Sequence, residues 1–193
     1  MECANLVRDV MALTSTIYTF DITLSNVDRG CYESLALRVA MHPSESPEYF
    51  TARVFAYCLE YAEGIVFSRG VSDADDPTIA VRDLTGAMKV WIEIGAPDAA
   101  RLHKAAKASP RVAVYTHRDP VQVQRQWIGE RIHRAEEIAL YAIDRDLIAA
   151  FCERLERRMK FSMSVTDGMM YLDVNGATLS GTIEQWPLQA AFT

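Results

Sequence analysis

Tyr18, Phe20, Ile22 and Leu24 alternate with Thr19, Asp21 and Thr23, and Leu35, Leu37 and Val39 alternate again after a turn from Asn26 to Gly30. A period of two sends every second side chain to one face, so these runs predict two half-buried strands paired as a hairpin. The period then changes. Ser46-Pro47-Glu48 supplies a cap, a proline at the first helical position and an acid at the positive end of the helix dipole. Phe50, Val54, Phe55, Cys58, Leu59 and Ala62 follow at helical spacing, and Gly64 ends the helix.

A short strand is expected from Ile65 to Ser68, then a polar loop through Asp73, Asp75, Asp76 and Pro77. Ile79 to Asp83 and Ala87 to Ile94 read as strands paired across Thr85-Gly86. The helix from Pro97 to Ala108 turns Leu102, Ala105 and Ala106 inward and stops at Ser109-Pro110. Beyond it come a strand (Arg111 to Thr116), a helix (Val121 to Glu130), a strand (Glu137 to Ile143) and a helix (Asp146 to Arg157). Asp167-Gly168 and Asn175-Gly176 join the last strands as two-residue hairpin turns.

The central order is helix, three strands, helix, strand. A right-handed crossover through the helix at 97–108 would set strand 111–116 parallel to strand 87–94. That is the αβββαβ core of the restriction-endonuclease-like fold. The expectation is one α/β domain over 12–193: a mixed β-sheet with flanking helices and added N- and C-terminal β-hairpins. Residues 1–11, which lack a clear period, read as a mobile extension.

Cysteines 3, 31, 58 and 152 form no C-x-x-C pair, and Cys58 and Cys152 fall among apolar neighbours, so reduced core thiols are expected rather than zinc ligands. No apolar run approaches the roughly 20 residues of a membrane helix, and the N-terminus lacks a secretory h-region. A cytoplasmic protein without a membrane partner is expected. The formal net charge of −6 argues against tight non-specific duplex binding. The charge is uneven, however: eight Lys and Arg against three acids between Asp98 and Arg134 leave a local excess of five cations. That stretch permits a phosphate-bearing partner and equally suits a solvated helix surface.

Trp91-Ile92-Glu93-Ile94-Gly95-Ala96-Pro97-Asp98 carries the chemistry. An unpaired Glu in a dry strand costs several kcal/mol, roughly, so Glu93 calls for a cation, donors or water beside it. Asp75 and Asp76 lie one strand earlier. Acid, strand, turn, strand, acid and helix in succession is how several metal-dependent nucleases assemble a site. No G-x-G-x-x-G or Walker loop is present, so no nucleotide cofactor is expected.

Asp28-Arg29-Gly30, His42-Pro43-Ser44-Glu45, Ser68-Arg69-Gly70, Trp91-Ile92-Glu93-Ile94-Gly95, Pro97-Asp98, Arg101 and Lys104-Ala105 occur in that order. Together, over Ala12 to Trp186, they make the chain resemble the bacterial YaeQ family. The resemblance implies a monomeric fold around a variant of the PD-(D/E)XK nuclease core. Glu93 matches the acid of the (D/E)XK half, while the Lys expected two residues on is Gly95 and the Asp expected after Pro77 is Thr78. Under this resemblance Glu93, Asp76, Asp75 and Glu48 would hold Mg²⁺, and Lys104 would replace the missing cation, with Glu93 and Lys104 as catalytic residues.

The reaction would be phosphodiester hydrolysis in a nucleic acid. The alternative is a non-catalytic module that binds a protein or a nucleic acid on the same scaffold. Each residue also has a plain structural role open to it. Glu93 would sit on a wet strand face, Asp75 and Asp76 would be loop acids, Glu48 would serve the helix dipole, and Lys104 would snorkel to solvent.

Overall fold

Residues 14–68 and 76–188 are described by the structure, a computed structural model. Strands β1 (Thr16–Asn26) and β2 (Cys31–Met41) pair antiparallel, with Phe20 opposite Leu37 and Ile22 opposite Leu35. The alternation holds: Phe20, Ile22 and Leu24 are buried while Thr19, Asp21 and Thr23 are exposed. Helix α1 (Pro47–Leu59) starts where expected, with the Ser46 hydroxyl accepting from the Tyr49 N–H at 3.2 Å. Every residue from Phe50 to Leu59 is buried, so α1 is enclosed on all sides rather than laid on a surface.

Next come β3 (Ile65–Phe67), β4 (Ile79–Arg82), β5 (Met88–Ile94), α2 (Ala99–Ala108) and β6 (Arg111–Thr116). Strands β3, β4 and β5 run antiparallel in sequence, and β5 lies parallel to β6 as the crossover argument requires. After α3 (Pro120–Arg125), β7 (Ala139–Ile143) and α4 (Arg145–Cys152), the chain closes with β8 (Arg158–Thr166), β9 (Met169–Val174) and β10 (Ala177–Pro187). Both terminal turns have their two central residues in the left-handed region, the I′ geometry that Asp-Gly and Asn-Gly favour.

The terminal hairpins are not separate appendages. β1 pairs in parallel with β8, and β10 pairs with β7, so one ten-stranded sheet runs β2-β1-β8-β9-β10-β7-β6-β5-β4-β3. One core cluster joins α1 and α4 to Phe20 and Ile22 of β1 and also to Ile79 and Ile92 of β4 and β5. Both halves of the sheet therefore curl around α1. The other cluster lies on the opposite face of β5–β7, where Leu102, Ala105, Val123 and Trp127 cover Trp91, Val114 and Leu140.

Several bounds differ from the sequence reading. α1 ends at Leu59, with Glu60 at its C-cap, before the expected end at Ala62 to Gly64. α3 ends at Arg125 instead of continuing to Glu130, because Gly129 turns left-handed (φ +79°) and Trp127 is drawn inward to donate to the Pro97 carbonyl at 2.8 Å. Residues 135–137 form a single 3-10 turn before β7. α4 ends at Cys152 because the chain must already face β1 by Arg157, whose carbonyl accepts from Thr19 N–H at 2.8 Å. The extension proposed for residues 1–11 lies outside the described residues.

Candidate functional site

β5 ends at Ile94 and is followed by Gly95, whose backbone is left-handed (φ +84°) and whose N–H donates to the Tyr115 carbonyl at 2.8 Å. The turn leads at once to Asp98, which caps α2 by accepting from the Arg101 N–H at 2.7 Å. Arg101 thus stands in the first turn of α2, beside the last residues of β5. Its Nε lies 2.8 Å from Glu93 Oε1, and its Nη2 donates to the Asp76 carbonyl at 2.8 Å.

Glu93 is only 2 % exposed. It shares a strand face with Trp91, whose indole N–H reaches Oε1 at 2.5 Å. Thr78 sits one step beyond the Ile79–Ile92 pair of the β4–β5 ladder, and its hydroxyl donates to Oε2 at 2.9 Å. Both carboxylate oxygens are therefore engaged, one by a cation and an indole, the other by a hydroxyl. Glu93 has the cation and donors that its burial calls for, and the alternative of a wet strand face is not found, because α2 and its arginine cover it.

Opposite Arg101, α1 contributes Tyr49 and Arg53. With Glu93, Thr78, Asp76 and Arg101 these border a cavity of about 230 Å³. Arg53 pairs with the buried Glu45 at 3.0 Å and donates to the Ala40 carbonyl at 2.7 Å, with its guanidinium over the rings of Phe50 and Phe67. Its buried Nε has no hydrogen-bond partner among the described residues. Burial pulls the Arg53 pKa down, against the opposing charge of Glu45. Burial likewise pushes the Tyr49 hydroxyl up, and the Glu93 charge adds to this while a hydrogen bond with Thr78 works the other way.

The candidate ligands do not all converge. Glu93 and Asp76 border the same cavity, but the Asp76 carboxylate is half exposed and faces Arg82 at 3.7 Å. Asp75 lies outside the described residues. Glu48 is exposed on the first turn of α1 and borders another cavity, of about 890 Å³, with His117, Arg118 and Asp144. A hydrogen bond from its own backbone N–H, then one from Ser46, holds its carboxyl below the ordinary range. Lys104 is exposed on α2 and does not border the Glu93 cavity. Among the described residues, no three His, Cys, Asp or Glu are grouped so as to hold a metal ion.

Sequence reasoning missed Arg53, Glu45 and Tyr49 as neighbours of this cleft. A signal existed for Arg53: it is a lone charge between Phe50 and Val54 in an otherwise apolar helical run. His42-Pro43-Ser44-Glu45 forms the turn between β2 and α1, with the Glu45 carboxylate accepting from the His42 N–H at 2.7 Å. In the Asp28-Arg29-Gly30 motif, Arg29 reaches a core acid: it lies 3.4 Å from the buried Glu60.

A sequence profile described as "YaeQ protein" matches residues 11–183. The uncharacterized YaeQ protein of Escherichia coli (strain K12) is 28 % identical over 178 residues, spanning 91 % of this chain and 98 % of its own. That of Salmonella typhi is 28 % identical over 177 residues, with the same coverage. The crystal structure of YaeQ from Pseudomonas syringae superposes with a TM-score of 0.80 at 27 % identity, covering 89 % of this chain and 95 % of that one. YaeQ from Xanthomonas axonopodis pv. citri gives 0.81 at 27 % identity, covering 92 % and 99 %. Among the described residues no helix is long and apolar enough to cross a membrane.

Proposed function

Given that this chain belongs to the YaeQ family, we propose that it is a nucleic-acid-binding module on a restriction-endonuclease-like scaffold, with the hydrolytic metal chemistry of that scaffold lost. One observation carries the reading. Position 78, where the PD-(D/E)XK pattern has its Asp, faces Glu93 across the β4–β5 ladder and bears a hydroxyl that donates to it. Two carboxylates there would share a divalent cation. A hydroxyl and a carboxylate make a hydrogen bond instead, and Arg101 supplies the positive charge that Glu93 needs. The donor set does not fit Mg²⁺, so no hydrolytic step is assigned to it.

The surface supports binding. Of the eight cations between 98 and 134, Arg101 serves Glu93, Arg111 pairs with Glu60 at 2.7 Å, and Arg134 donates to backbone carbonyls. Lys104, Lys107, Arg118, Arg125 and Arg131 are exposed on α2, α3 and the adjoining loops. Two of the three acids in the stretch, Asp98 and Asp119, act as helix caps. The hydrolase reading, with Mg²⁺ on Glu93, Asp76, Asp75 and Glu48 and with Lys104 as the cation, has one fact in its favour: Glu93 and Asp76 border one cavity.

The test sets wild type against Thr78→Asp and Glu93→Gln. Wild type is expected to retard a labelled single-stranded oligonucleotide in the presence of EDTA, and Glu93→Gln to do the same. Thr78→Asp is expected to gain saturable Mn²⁺ binding, by calorimetry, that wild type lacks. Mg²⁺-dependent cleavage of the oligonucleotide by wild type, abolished in Glu93→Gln, would overturn the proposal and restore the hydrolase.

A further inference from the structure

His103 and Lys107 stand one turn apart on α2, and the loop at 131–134 passes over them. The His103 Nδ1 lies 3.1 Å from the Arg131 carbonyl, which can only accept, so the ring proton sits on Nδ1. Arg134 adopts a left-handed backbone (φ +47°), and its guanidinium donates to the carbonyls of Ala106 and Ser109 at the end of α2. These bonds pin the loop to the helix. Beside them lies an open pocket of about 460 Å³ bordered by His103, Lys107, Arg131, His133 and Arg134, with Ile132 as its apolar wall. The two imidazoles meet edge-on, with centroids 6.3 Å apart.

Among the described residues no carboxylate borders this cavity. Glu137 pairs with Arg134 Nη1 at 3.1 Å but is not part of the lining. Gathering Lys107, Arg131 and Arg134 around one opening sets like charges against each other, a repulsion that an anion placed between them would convert to attraction. A guanidinium fork matches the geometry of phosphate oxygens, and an ammonium adds a point charge. We infer that this cavity is a phosphate-binding seat, with Lys107 and Arg131 supplying the charge and His103 and His133 forming its walls. It lies on the same helical layer as the proposed nucleic-acid surface, but it does not depend on that reading or on the cleft at Glu93.

The phosphate would come either from a small phosphorylated compound or from a nucleic-acid backbone. Calorimetric titration of the full chain with inorganic pyrophosphate at low ionic strength tests the seat. Wild type is expected to bind saturably. The double variant Lys107→Gln/Arg131→Gln should bind roughly tenfold more weakly or worse, the scale of one lost charge-assisted hydrogen bond. The double variant Arg158→Gln/Lys160→Gln makes the like change of charge on β8, away from the cavity, and should leave binding unchanged. No saturable binding by wild type would overturn the seat. So would a double variant that keeps its thermal midpoint yet binds within about twofold of wild type. A single-stranded oligonucleotide then separates the sources. Parallel loss in the double variant identifies backbone phosphate, and retention identifies a small phosphorylated compound.

Discussion

Glu60 shows how one residue reconciles charge with burial in this protein. It is 2 % exposed, yet Arg111 meets both its oxygens at 2.7 Å and the Tyr115 hydroxyl donates at 2.8 Å. Burial works against the ionised form, but the Arg111 hydrogen bonds and charge, the Tyr115 hydroxyl and Arg29 together hold the carboxyl below its ordinary value. A depressed folded pKa stabilises the fold above the unfolded value, near 4.3, and that contribution fades as pH falls through the folded one. Glu60→Gln should therefore cost roughly 2 to 3 kcal/mol at pH 7. In urea titrations run from pH 7 downward, the gap from wild type should close below about pH 4. A gap that stays constant with pH would mean that Glu60 contributes through packing alone.

At the scale of elements, α1 is the frame on which the cleft is hung, because Tyr49 and Arg53 reach the cavity from it. The turn that leads from it into β3 is fixed by Gly64, which is left-handed (φ +82°) and so close to β4 that a Cβ would fall 1.9 Å from the Arg82 carbonyl oxygen. Both conditions exclude a side chain. Gly64→Ala should lower stability by about 1 to 3 kcal/mol or more, read as a drop in the thermal midpoint, since backbone must shift as well as strain. An unchanged midpoint would show that the corner is free to move. Gly95 has a different meaning: its left-handed backbone (φ +84°) would strain a lysine, so the missing cation cannot be restored there simply by substitution.

For the whole molecule, the contrast between a net charge of −6 and a locally basic helical layer decides how a nucleic acid would be met. Contact by the five exposed cations of that layer releases at most five condensed counterions, so log affinity for a single strand should fall against log salt with a slope no steeper than about −3.5. Filter-binding isotherms across a salt series would measure it. Affinity independent of salt would remove the phosphate contact from the account. A steeper slope would draw in cations outside residues 98–134.

The periodicities fixed which segments became strands and helices, since alternation and helical spacing are local properties of the chain. Ser46 and Asp98 as caps, and the Asp-Gly and Asn-Gly turns, were legible for the same reason. The parallel pairing of β5 with β6 followed from chain order and crossover chemistry. The joining of the terminal hairpins into one sheet did not, because the β1–β8 pairing links residues some 140 apart, such as Thr19 and Arg158, and no local pattern encodes a partner that distant. The site divides along the same line. Glu93 stood out from sequence as a carboxylate needing company, but its partners come from the residue before β4, from β5 and from α2, and the other wall of its cavity from α1. Only the folded sheet brings Thr78, Trp91 and Arg101 onto one carboxylate, because hydrogen bonding and charge neutralisation act over a few ångströms of space rather than along the chain.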